Sequence, residues 1–257
     1  LDGLAQIHRD AAVELIRENG PFVDRFTAVS EYYANFMSTY LSIPRDKIDV
    51  VPLGMNLDGF EKRVESSTRP FTVGYLARIA PEKGLRRLCD AYVRFRQRPG
   101  VERAQLDVAG YMASDQQGYL REAKRRLEDA GIGGEFQYRG LLNREGKITF
   151  LRHLDVFSVP TAYVEPKGLF LLEAMACGVP AIQPNHGAFP EMLAKTSGGV
   201  LVEPGSPDRL ADGIYDLWKH PERRAELGRN GFDGVRRHYS IARSADRMLE
   251  VYQGSMC

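Results

Sequence analysis

The chain has 257 residues, of which 43% are hydrophobic, and 35 lysines and arginines face 34 aspartates and glutamates for a formal charge of +1. It is long enough to bury one full core and part of a second, and its charge balance removes the sequence-level case for a non-specific nucleic-acid binder. No apolar run approaches the ~20 residues of a membrane-spanning helix, the first residues do not combine a basic stretch, an apolar core and a cleavage site, and Cys89, Cys177 and Cys257 fit neither a metal spacing nor a disulfide framework, so a cytoplasmic setting is expected.

In chain order, residues 26–29 and 48–51 read as two short strands joined by a helix that carries Tyr32, Phe36 and Tyr40. Two strands make no sheet, and a turn-rich, charged stretch follows over 52–70. Residues 1–55 are therefore read as the remnant of a preceding domain and 56–70 as a linker. From residue 71 the pattern alternates. Short β-branched or aromatic runs at 71–76, 105–109, 136–138, 156–159, 181–183 and 200–202 read as buried parallel strands. Helical stretches at 85–96, 116–130, 144–152, 169–177, 189–194 and 207–218 separate or follow them. This alternation predicts an α/β fold with a doubly wound parallel sheet spanning 71–257. Two last helices, 221–238 and 241–252, have no strand after them and are expected to pack outside the sheet or to reach towards another domain.

Three strand exits carry chemistry. Ligands of open α/β sheets sit beyond the carboxyl ends of strands, where the free N–H groups of a helix start favour an anion. After the 156–159 strand come Glu165-Pro166-Lys167-Gly168-Leu169, with Gly168 opening a helix and Glu173 about one and a half turns inside it. Eight positions apart, Glu165 and Glu173 suit different parts of one elongated ligand better than the close pair of a retaining glycosidase. After the 71–76 strand, Arg78 and Lys83 are two cations able to neutralise a diphosphate. After the 181–183 strand, His186, Gly187 and Phe189-Pro190-Glu191 form another turn into a helix. Plainer readings stand beside these. Glu165 or Glu191 can cap a helix, Lys167 can face solvent, and His186 can be structural. Arg86, Arg87, Arg94, Arg96 and Arg98 read as a solvated basic face, with peripheral membrane contact as the lesser reading. No strand exit gives the G-x-G-x-x-G spacing of a dinucleotide oxidoreductase.

Taken together, Glu165 and Glu173 with Ala-Met-Ala-Cys-Gly-Val-Pro after them, the upstream Arg78 and Lys83, and the Phe-Pro-Glu turn resemble the donor half of family 4 glycosyltransferases of GT-B fold. Ala28-Val29-Ser30-Glu31 and Val50-Val51-Pro52-Leu53-Gly54 are similar to the end of that family's first domain. The resemblance implies a retaining transfer from a nucleoside-diphosphate sugar without a metal. Arg78 and Lys83 would bind the diphosphate, Glu165 the donor sugar, Gly168 and Leu169 a phosphate through their N–H groups, and Glu173 the ribose. Arg139, Gly140 and Leu141 would line the base pocket, mostly with backbone, so the base stays open. Lys167 stands where the family usually has an aromatic residue, which leaves the sugar open as well. The acceptor is unknown, and it would be held mainly by the missing N-terminal domain. The chain is accordingly expected to be a donor-binding fragment, with a non-catalytic nucleotide-sugar-binding module as the alternative.

Overall fold

The computed structural model describes residues 5–63 and 69–255; the 64–68 part of the linker and Cys257 lie outside these. A six-stranded parallel sheet forms the main body, from β3 (Phe71–Leu76), β4 (Ala104–Ala109), β5 (Phe136–Tyr138), β6 (Val156–Phe157), β7 (Ala181–Pro184) and β8 (Gly199–Val202). Their order across the sheet is β5-β4-β3-β6-β7-β8. Every residue of β3 is buried, which is why Phe-Thr-Val-Gly-Tyr-Leu alternates nothing: a central parallel strand has helices on both faces. The helices are α3 (Leu85–Arg96), α4 (Gln117–Asp129), α5 (Arg144–Arg152), α6 (Leu169–Ala176), α7 (Phe189–Thr196) and α8 (Pro207–Lys219). On α3, Leu85, Leu88, Cys89, Tyr92 and Phe95 are buried against the sheet. Arginines of the same helix are tied to acids of neighbouring segments, Arg86 to Glu122, Arg94 to Asp208 and Arg96 to Glu135, and Arg98 just past its end is tied to Asp212.

Two helices end the chain. α9 (Pro221–His238) lies on α6 and α7 through Gly228, Gly231 and Gly234, three buried residues at helical spacing. A Cβ at Gly228 would stand 2.4 Å from the Gly178 carbonyl oxygen, and one at Gly234 would stand 2.6 Å from Thr196 Cα. The glycine stripe lets the helix approach more closely than side chains allow.

The smaller part is built around a parallel pair, β1 (Phe26–Ala28) and β2 (Ile48–Val50), joined through α2 (Glu31–Leu41) and preceded by α1 (Gln6–Asn19). The sequence reading missed α1. Most of its side chains are exposed and only Val13 is buried, so it lacks the wide apolar stripe that periodicity detects. Val13, Ala28, Ala34, Leu41, Ile43 and Ile48 form a core separate from the main one. α10 (Ile241–Ser255) crosses onto β2, where Arg247 pairs with Asp49 at 2.9 Å and donates to the Val50 carbonyl. Beside it, Met55 bridges to Ser240: its N–H donates to Tyr239 O, and Ile241 N–H donates to Met55 O. The linker beyond is packed, with Phe60 in the main core and Arg63 and Arg69 both on the buried Asp155.

Candidate functional site

β3 and β6 are neighbours, but the chain leaves β3 towards β4 and leaves β6 towards β7, so the sheet reverses direction between them. The crevice at such a reversal is where open α/β sheets hold ligands. Two loops meet there. One, 77–84, carries Arg78 and Lys83 and ends in Gly84 before α3; the other, 158–168, carries Tyr163 and Glu165 before α6.

Lys83 Nζ lies 2.9 Å from Glu165 Oε2 and also donates to the Tyr163 hydroxyl. The Tyr163 hydroxyl donates to the same Glu165 oxygen. Glu165 Oε1 accepts the backbone N–H groups of Lys167 and Gly168, at 3.2 and 3.3 Å. Lys83 is further held over the rings of Tyr163 and Phe170, 4.7 and 5.3 Å from their centroids. Burial alone would raise the Glu165 carboxyl, but hydrogen bonds from Tyr163 and Lys83, the lysine charge and the Gly168 N–H outweigh it and hold it below its ordinary value. Burial and the Glu165 hydrogen bond push the Tyr163 phenol up, so it stays a donor.

The exit of β7 locks this loop. Ala188 N–H donates to Glu165 O at 2.9 Å, and Gly187, at φ +61°, brings its backbone so close that a Cβ would lie 2.3 Å from that oxygen. His186 Nε2 sits 3.2 Å from the Thr161 carbonyl, which makes the histidine a brace between the two loops.

The remaining sequence-selected residues spread outward. Arg78 is exposed and paired with Glu82 four residues on. Glu173 is nearly buried on α6 and paired with Lys147 of α5 rather than with a cation of β3. Leu169 is exposed at the first position of α6. Gly168 is the residue preceding that helix. Arg139 follows β5 and holds the buried Asp107 at 3.1 Å, beside an open cavity of about 280 Å³ lined by Leu142, Phe150 and His153. Leu141 is 72% exposed. β5 stands two strands from β3, ~10 Å across the sheet. Lys167 is exposed over a narrow cleft that it shares with Glu191 and Ser30. Glu191 caps a helix, but not its own: its carboxylate accepts the N–H groups of Glu31 and Tyr32 at the start of α2, at 3.0 and 3.1 Å.

Sequence reasoning missed Tyr163 and Lys147. Tyr163 had a signal, because residues two apart in an extended loop share a side and it stands two before Glu165. Lys147 had none, since its pairing depends on how α5 packs against α6.

Comparison with known proteins adds the family. The profile of glycosyl transferases group 1 matches residues 59–233. The D-inositol 3-phosphate glycosyltransferase of Segniliparus rotundus is 29% identical over 242 residues, 91% of this chain and 53% of the relative. A GDP-mannose-dependent α-(1-6)-phosphatidylinositol monomannoside mannosyltransferase of Mycobacterium tuberculosis is 27% identical over 95% of this chain and 65% of its own length. The chain thus spans about half to two thirds of these relatives. Among solved structures, sucrose-phosphate synthase of Thermosynechococcus elongatus superposes with a TM-score of 0.81 at 21% identity, over 95% of this chain and 61% of that one. Anabaena HepE in complex with UDP and glucose gives 0.83 at 19%, over 98% and 68%. The likenesses show the GT-B fold, and the profile covers the sheet reversal and both of its loops: the chain belongs to the glycosyl transferases of group 1.

Proposed function

We propose that this chain carries the donor site of a retaining glycosyltransferase that uses a nucleoside-diphosphate sugar. The observation that carries the reading is the Lys83–Glu165 pair, set where the sheet reverses and tied to the N–H groups of Lys167 and Gly168 just before α6. In this reading Arg78, Lys83 and the Leu169 amide meet the diphosphate, and the Gly168 N–H, which donates to Glu165 Oε1 at 3.3 Å, turns to share it. Lys83 is held by Glu165 and Tyr163 before substrate arrives, so charge developing on the leaving group is stabilised with little reorganisation. Glu165, held ionised by Tyr163 and Lys83, accepts hydroxyls of the sugar, while Glu173 accepts those of the ribose. The base lies towards Arg139 and Leu141. No metal enters the scheme, since the chain's own cations face the diphosphate. The acceptor is a hydroxyl of a glycan or glycolipid, in keeping with the names of the two curated relatives. Residues 1–55 belong to the acceptor-side lobe, which accounts for Ile7, Leu15 and Phe22 being exposed, and this chain alone binds donor without transfer.

Calorimetric titration with UDP, GDP and ADP and their sugar conjugates tests the reading. One nucleoside diphosphate should bind, and Arg78→Ala or Lys83→Ala should weaken it by about 1.5–3 kcal/mol while leaving the free nucleoside unchanged. Equal losses for nucleoside and diphosphate would reject the assignment.

A further inference from the structure

A cavity of about 500 Å³ lies away from the sheet reversal, between the β1–β2 pair and the carboxyl-terminal helices. This is the volume of a small-molecule site. Its walls come from both lobes, and most of the lining side chains are charged. Three of the cations are fully engaged within the chain: Arg25 and Arg247 share Asp49, and Arg45 pairs with Glu31 at 2.5 Å. Three others, Lys195, His238 and Arg243, converge from α7, α9 and α10. Among the described residues their closest approach to an acid is the 3.9 Å between Arg243 and Asp246.

Helix dipoles account for two of these and not the third. Lys195 and His238 end α7 and α9, where a carbonyl-rich terminus favours a cation. Arg243 sits in the first turn of α10, which contains no acidic residue and where the dipole disfavours a positive charge. His238 registers the result: burial, then the charges of Arg237, Lys195 and Arg243, hold its imidazole below the ordinary value. The three groups repel one another at a fixed place, and Asp46, the cavity's acid without a cation partner among the described residues, stands exposed across it.

We propose that this cavity binds a phosphate monoester on a hydroxyl-bearing carrier, such as a sugar phosphate, with Lys195, His238 and Arg243 on the phosphate and Asp46 on the carrier. A guanidinium, an ammonium and an imidazole together match a dianion whose second ionisation lies near pH ~6, and the guanidinium gives it a fork. Because the ligand touches α7, α9 and α10 on one side and the β2 segment on the other, it ties the two lobes together.

The test uses the 257-residue chain with its histidines isotopically labelled. Inorganic phosphate, glucose 6-phosphate and vesicles of phosphatidylcholine with phosphatidic acid are titrated separately, following the His238 ring signals. Soluble phosphates should move His238 towards its protonated position, glucose 6-phosphate at lower concentration than inorganic phosphate. Lys195→Gln with Arg243→Gln, both exposed positions, should weaken glucose 6-phosphate by about tenfold or more. Lys83→Ala should leave it unchanged, which separates this site from the donor site. Binding to the vesicles as well would identify a lipid headgroup as the carrier; binding only in solution would identify a free metabolite. No movement of His238 with any probe, or loss of phosphate in Lys83→Ala with none in the double variant, would overturn the proposal.

Discussion

Glu165 joins stability to the site. Its carboxyl is held below the ordinary 4.5 in the folded chain, so the folded state takes up its proton less readily than the unfolded one. Its contribution is therefore complete above pH 4.5 and is lost as pH falls through the lower folded value. In denaturant titrations of the wild type, the midpoint should drop on acidification below pH 4.5, and Glu165→Gln should show a smaller drop. An identical acid dependence in the two proteins would mean that the Lys83 and Tyr163 contacts do not select the ionised form. What the sequence made legible at this scale is placement: Arg78, Lys83, Glu165 and Gly168 all lie in the loops that follow β3 and β6, as the strand pattern put them, while their roles towards a ligand are part of the proposal. Partner choice was not legible. That Glu165 takes Lys83, and Glu173 takes Lys147, follows from distances across 82 and 26 residues that no local pattern encodes.

Several element boundaries came through the sequence well, and burial on both faces was not what decided it: β5 carries an exposed Gln137, while the fully buried β6 was misjudged. β3 and β5 fall where the apolar runs put them, and α3, α5 and α9 match their periodic stretches. β6 is shorter than expected, two residues in place of four, although Ser158 N–H still donates to Gly74 O of β3 at 3.0 Å. The unreadable feature was the glycine face of α9, since glycine in a helical stretch looks like a defect until a neighbouring backbone is seen against it. Two alanine substitutions separate the cases. Gly118 on α4 has open space where a Cβ would go, and Gly118→Ala should stabilise by a few tenths to ~1 kcal/mol through helix propensity. Gly234→Ala gains the same propensity but meets Thr196 Cα at 2.6 Å, and the thermal midpoint should fall. A higher midpoint for Gly234→Ala would show that α9 can move off α7 at little cost.

At the scale of the molecule, there are two cores of unequal size. The smaller, around Val13, Ala34 and Ile48, rests on a two-stranded pair, and such a pair is marginal without further packing. Amide exchange should therefore show α1, β1 and α2 opening at lower free energy than β3 and β4, which lie inside the larger core. Equal protection would mean that the contacts from α10 and Glu191 fuse the two parts into one cooperative unit. In the small part both strands and the helix between them were legible in the sequence, but α1 was not, nor that the strands would pair as a two-stranded parallel sheet, where the sequence reading expects none.

The bridge between Met55 and Ser240 has a mechanical meaning. The chain passes between the two parts twice, once outward through 51–55 and once back through 239–241, and the hydrogen bonds at Met55 clamp these passes side by side. A single tether would leave the parts free to swivel and tilt in any direction. Two clamped passes act as the pin of a door: they suppress twist and sliding and leave one easy rotation, about an axis running along the pair. Turning about that axis would also have to release Glu191 from the N–H groups that open α2 and the Ser30 hydroxyl from the Pro166 carbonyl.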